Sequence, residues 1–116
     1  MESELADAVE VIPGRLFWVA LSSDPQDTSN SHFFSIDTDL VYLPFFEDFG
    51  PLKLSMVIRY CRLLAAKLTH PLLSHKRIIH FCSHDPMKRA NAACLICIFQ
   101  VLAMGKTSEA ACEVFC

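Results

Sequence analysis

Residues 77–93 read RIIHFCSHDPMKRANAA, and this stretch decides the fold. Arg77 to Cys82 is a short run rich in β-branched and aromatic residues, the composition of a buried strand. Ser83 to Pro86 reads as a tight loop. The apolar spacing from Met87 to Met104 predicts a long helix. Gly105 is placed to end it, because helices commonly close on a left-handed residue that glycine adopts without strain. A strand feeding a short loop and then a helix aims backbone N–H groups at one point, and the helix dipole adds to them. Such a unit can hold a phosphate.

Outward from this unit the chain alternates short strands with helical stretches. Val9–Ile12 (VEVI) reads as a strand, Pro13-Gly14 as a turn and Leu16–Ala20 (LFWVA) as a second strand. Ser22–Ser31 is a polar loop, and His32–Ile36 reads as a third strand. Asp37–Leu43 adds a short fourth, with Pro44–Pro51 irregular. From Leu52 to His70 the period changes to 3.6. Leu54, Val57, Ile58, Cys61, Leu64, Ala65 and Leu68 form one stripe, with Arg59, Arg62 and Lys67 on the solvated side. Thr107 is placed to cap a last helix, Ser108–Phe115. This order predicts one α/β domain over 1–116 (core about 9–115), with helices packed on a mixed sheet. The pattern stops at Cys116 inside an amphipathic helix, so the chain is expected to be truncated.

Composition narrows the function classes. The 116 residues are 53% apolar and 20% charged, with a mean hydropathy of +0.34. That excludes a disordered tail or linker, and the apolar surplus suits a domain with one face packed on a partner. Residues 1–50 hold ten acids and one base, Arg15, whereas 51–116 hold nine bases and three acids. The acidic half either lines a groove that recruits a basic peptide or populates solvated loops. A sequence pI near 5.9 argues against nucleic-acid binding. MESELADAVE has no positively charged start followed by an apolar run, so no secretory signal is read. The longest apolar run, Ala92–Met104 with Gln100 inside it, is short for a membrane span. A soluble intracellular protein with no membrane partner is expected, its six cysteines kept as thiols.

Cysteine-dependent phosphatases carry, on this kind of unit, His-Cys, five residues, then Arg. The thiolate attacks phosphorus and the guanidinium fork grips the phosphoryl oxygens. Three registers are open here. Anchoring on His80 puts Phe81 at the nucleophile and Met87 at the arginine. Anchoring on Cys82 puts Lys88 at the arginine, which lacks the fork. Anchoring on Arg89 puts Ser83 at the nucleophile, whose hydroxyl is barely ionised at neutral pH. None has a glycine between its ends, Asp85 repels a dianion, and Pro86 removes an N–H donor. The loop, from His80, Phe81, Cys82, Ser83, His84, Asp85, Pro86, Met87 and Lys88 to Arg89, has the shape of the motif without its chemistry. No catalytic residue is assigned, and the chain alone is expected to be inactive.

Other chemistry-bearing residues have plainer readings. Cys94-x-x-Cys97 lies inside a helix among Leu95, Ile96 and Ile98, which suits core cysteines better than a redox pair or half a zinc site. His80, Cys82 and His84 would share one side only if the strand ran past Ser83, so no metal site and no cofactor is expected. His80 is read as bonding to backbone. Trp18, Phe33, Phe34, Phe45 and Phe46 are mostly core, with one or two free to face a partner. Lys88-Arg89 at a helix start oppose the helix dipole, which favours a solvated or partner-facing role.

Three stretches carry a family resemblance: VEVIPGRLFWVAL, HFFSIDTDLVYLPFFEDFGPLKLSMVIRYC and KRIIHFCSHDPMKRANAACLICIFQVLAMGKTSEAACEVF. Over Val9 to Phe115 the chain resembles the N-terminal domain of the cell division cycle fourteen class of dual-specificity protein phosphatases. The resemblance implies a dual-specificity-phosphatase-like fold, with a mixed central sheet flanked by helices and a degenerate phosphate-binding loop. It also implies a second, catalytic domain in cis, absent from this chain. The first domain packs on it and helps shape an acidic groove for phosphoserine-proline sites with a basic residue downstream. Such sites lie in phosphoprotein substrates of mitotic exit, cytokinesis and DNA repair. The family is found in nucleus, nucleolus, centrosome, spindle and cytoplasm. Asp85 matches an acidic position of the family's degenerate loop and is the candidate groove acid. His84 replaces an uncharged residue, Pro86-Met87 replace a polar-basic pair, and Gly14 stands where the family often has an acid. A stand-alone pseudophosphatase adaptor, or an enzyme using Cys82, are the competing readings.

Overall fold

Strand β4 (Arg77–Cys82) runs through the middle of the molecule, flanked by β2 (Leu16–Ala20) and β3 (Ser31–Phe34). It is parallel to both, and β1 (Val9–Ile12) closes the sheet antiparallel to β2, in the order β1-β2-β4-β3. This computed structural model describes residues 7–36, 54–107 and 109–110. Helices α1 (Leu54–Thr69) and α2 (Pro86–Met104) and a 3-10 turn at Pro71–Leu73 complete the described elements. The predicted mixed sheet flanked by helices is therefore present.

A central parallel strand is buried on both faces, which is why RIIHFC is nearly continuous in apolar residues. Successive side chains alternate between the faces. Leu16, Trp18, Phe34, Ile78 and Cys82 join one buried cluster with Val57, Tyr60 and Leu64 of α1 and Leu95, Ile96 and Phe99 of α2. Val19, Leu21 and Ile79 form a smaller cluster on the other face, with Phe17, Phe33 and Phe81 against it.

The strands at Val9–Ile12, Leu16–Ala20 and Arg77–Cys82 stand where the alternation put them. The third begins at Ser31, which pairs with Arg77, and ends at Phe34. The strand expected at 37–43 and the irregular stretch 44–51 lie outside the described residues. α1 buries most of the expected stripe, with Cys61 and Leu68 half-buried against the core, but Tyr60 takes a place in it and two members stay out. Val57, Tyr60 and Leu64 are buried, Ile58 is 41% exposed, and Ala65 is exposed. An aliphatic count favoured Ile58, but the sheet accepts Tyr60 because His80 offers its hydroxyl a partner. Lys67, expected on the solvated side, is half-buried. Its Nζ is 2.8 Å from His32 Nε2 and 5.2 Å from the Phe34 ring centre.

Two glycines close elements at positive φ, Gly14 at +72° and Gly105 at +70°. Gly14 N–H donates to Glu10 Oε2 at 3.0 Å in the β1–β2 turn. Gly105 ends α2 in the left-handed conformation, as its position suggested. Arg15, next to Gly14, spans to the far end of α1. Its guanidinium donates to Leu68 O at 2.8 Å, to Leu73 O at 3.0 Å and to Lys76 O. These carbonyls lie at the end of α1 and in the segment leading to β4, so one cation fastens β2's start to the way into the central strand. Thr107 Oγ1 accepts from Ala110 N–H at 3.1 Å, and Glu109 and Ala110 are helical. The rest of the last helix lies outside the described residues.

α2 has the length and apolar composition of a membrane span, longer than the run counted from sequence. Its buried stripe includes the polar Asn91 and Gln100 and packs on the sheet, as a core helix does. Toward its end Val101, Leu102 and Met104 are exposed.

Candidate functional site

All three parallel strands end at one edge of the sheet, and the segments after β2, β3 and β4 meet there. In open α/β sheets the crevice outside the carboxyl ends of the strands is where ligands bind. β4 runs into Ser83–Asp85, and α2 starts at Pro86. Asp85 is the N-cap. Its Oδ2 accepts from Lys88 N–H at 3.0 Å, and its backbone oxygen accepts from Arg89 N–H at 3.0 Å. Ser83 Oγ accepts from Asp85 N–H at 3.3 Å. Pro86 at the first helical position has no N–H. A carboxylate of the chain itself therefore takes a helix-end donor that a phosphate loop would turn toward its ligand.

The loop's chemical groups are divided between two cavities. One, of about 180 Å³, is lined by Ser22, Ser23, Ser35, Cys82, Ser83 and Lys88. The other, of about 270 Å³, is lined by Asp7, Trp18, Val19, Ala20, His84 and Arg89. Cys82 and Lys88, the ends of one register, share a cavity, but an ammonium offers a point charge rather than a bidentate fork. Ser83 and Arg89, the ends of the other, face different cavities. Thiol and guanidinium never converge on one reacting atom, which nucleophilic phosphoryl transfer requires.

His80 is fully buried, and its Nδ1 lies 2.8 Å from Tyr60 Oη. The backbone hydrogen bond expected for it is replaced by this side-chain pair. The ring packs between Phe34, 4.9 Å away, and Tyr60, 5.5 Å away. Burial pushes its pKa down from 6.5 to about 3, so the imidazole is neutral. Burial likewise pushes the Tyr60 phenol up, with the neighbouring Cys61 adding to it. Nε2 has no hydrogen-bond partner among the described residues. His80, Cys82 and His84 do not converge on a shared point: one is sealed under Tyr60 and the others line separate cavities. Among the described residues no group of three His, Cys, Asp or Glu could hold a metal. Cys94 and Cys97 are half-buried rather than fully in the core, and no disulfide joins the cysteines among the described residues.

Two arrangements had no sequence signal. Trp18 and Arg89 share a cavity from positions far apart in the chain. Asp27, His32 and Lys67 form a chain of contacts across the edge of the sheet. Asp27 Oδ2 lies 2.6 Å from His32 Nδ1, and its Oδ1 accepts from Phe33 N–H at 2.9 Å. With His32 Nδ1–H donating to the carboxylate, Nε2 is left to accept from Lys67. Partial burial raises the Asp27 pKa, but the Phe33 N–H and His32 outweigh it and hold the carboxyl below its ordinary value.

The strand–loop–helix unit on a mixed sheet, with no cysteine and arginine six positions apart in its loop, defines a phosphatase-like domain. Residues 10–116 match the family described as "Dual specificity protein phosphatase, N-terminal half", and the chain belongs to it. The chain is 49% identical over 108 residues to dual specificity protein phosphatase CDC14A of Mus musculus, covering 93% of this chain and 18% of that protein. It is 46% identical over 110 residues to CDC14AB of Danio rerio, covering 95% of this chain and 18% of the relative. Tyrosine-protein phosphatase CDC14 of Saccharomyces cerevisiae is 29% identical over 103 residues, covering 89% and 19%. The chain thus spans under a fifth of the length of these relatives.

Proposed function

We propose that this chain is the non-catalytic half of a dual-specificity protein phosphatase, and that it supports a catalytic domain in cis. The observation that carries this reading is the division of the loop. Cys82 with Lys88 and His84 with Arg89 face separate cavities, and Asp85 caps the helix that a phosphate would otherwise meet. A domain that keeps this scaffold while its chemistry is divided acts by contact. The exposed Val101, Leu102 and Met104 on α2 supply an apolar surface for that contact. In this proposal the domain also forms one wall of an acidic groove for phosphoserine-proline sites followed by a basic residue. Asp85 contributes there through its exposed side while it caps α2.

The test mixes the purified 116-residue chain with a recombinant catalytic half from a relative. Association is expected at micromolar concentration, with faster turnover of phosphoserine-proline peptides that carry a downstream lysine. Leu102→Asp should weaken the association without unfolding the chain. No association at high micromolar concentration sinks the packing role. Association with no effect on peptide preference sinks the groove alone.

A further inference from the structure

The 270 Å³ cavity beside the start of α2 is given no ligand in the reading above. Its lining residues are Trp18, Val19, Ala20, His84 and Arg89, with Asp7 among them. Among the described residues no hydrogen bond or ion pair engages the Arg89 guanidinium, and Asp7 does not pair with it. A planar cation at the edge of a cavity that also holds an aromatic residue, in no ion pair among the described residues, is half of a recognition site. Its place sharpens the point. Lys88 and Arg89 sit in the first turn of α2, where positive charge opposes the helix dipole, and a bound anion would relieve that repulsion. The backbone donor at Lys88 is already taken by Asp85, so recognition falls to side chains rather than to the helix end.

We propose that this cavity binds a single oxyanion group, phosphate ester or carboxylate, carried on a small ligand that fills the space beside Trp18. Arg89 supplies the fork, and His84 lies beside it as a second polar contact. Asp7 sets the charge limit, since its carboxylate penalises any further anion in the same space. The site needs no catalytic partner, so it can fail while the packing role stands.

Trp18 is the only tryptophan in the chain, so its fluorescence reads this cavity alone. The 116-residue chain is titrated with inorganic phosphate, O-phosphoserine and acetate, with chloride at matched ionic strength. A saturable change in Trp18 emission with an oxyanion and not with chloride is expected. Phosphate or phosphoserine saturating before acetate assigns a phosphate ester, and the reverse order a carboxylate. Arg89→Gln should weaken binding by about tenfold or more, Asp7→Asn should tighten it, and the charge-matched Arg62→Ala should leave it unchanged. Shifts of the Trp18 indole N–H resonance in the unmutated chain give the same reading if a variant folds poorly. A response that chloride reproduces, or that survives in Arg89→Gln, overturns the proposal, as does no response to any oxyanion.

Discussion

At the scale of single residues, burial decides the charge state of His80. Its folded pKa, about 3, lies below the unfolded 6.5, so the unfolded chain takes up the proton first. The stability this group contributes is complete above pH 6.5 and is lost as pH falls toward 3. The limiting slope is about 1.4 kcal/mol per pH unit. Urea midpoints at pH 7 and pH 5 should therefore differ more in the unmutated chain than in His80→Leu. Equal differences would mean that His80 is not held neutral. Asp27, whose pKa is lowered, adds a further loss only below its ordinary 3.8. Tyr60→Phe leaves His80 Nδ1 buried without its partner and should cost about 1–3 kcal/mol. Asp85→Ala removes the cap of α2 and should cost about 1 kcal/mol, while Asp85→Ser, another good cap, should recover most of it. Chemical denaturation separates these outcomes.

At the scale of elements, the first turn of the sheet and the end of α1 act as one unit. Arg15 donates to Leu68 O in the last turn of α1, whose carbonyls lack an intrahelical partner, and to Leu73 O and Lys76 O beyond it. Arg15→Ala should cost about 3 kcal/mol, because hydrogen bonds from a charged donor are each worth about 1.5–3 kcal/mol and such losses are not additive. Arg15→Lys keeps the charge and loses the fork, so it should fall between. A loss under about 1 kcal/mol for Arg15→Ala would show that water replaces the guanidinium at little cost. The same reasoning separates Lys67 from Arg62 on α1. Lys67 reaches over the Phe34 ring to His32, and Arg62 stays exposed, although the sequence treats the two alike.

At the scale of the whole molecule, catalysis needs nucleophile and guanidinium fork in one place, and at this sheet edge Cys82 and Arg89 line different cavities. The chain should therefore show no vanadate-sensitive turnover of p-nitrophenyl phosphate, with Cys82→Ser indistinguishable from the unmutated protein. Turnover that is lost in Cys82→Ser would instead make Cys82 a nucleophile served by Lys88, its neighbour in the smaller cavity. The relatives are more than five times as long as the stretch they share with this chain.

Local rules read from the sequence alone were enough for three strands, two helices and both glycine closures. Alternation, 3.6 periodicity and the demands of a phosphate loop act over a few residues, and those residues were in view. The family was legible for the same reason, through contiguous stretches such as MVIRYC and KRANAA. Long-range pairing was out of reach. That Tyr60 rather than Ile58 faces the sheet depends on His80, twenty positions away, offering its hydroxyl a partner. That Asp85 spends a carboxylate oxygen on Lys88 N–H depends on where β4 lets the loop turn. That Arg89 meets Trp18 rather than Ser83 depends on how α2 is rotated against the sheet. Periodicity places a side chain on a face; only packing decides what it meets there.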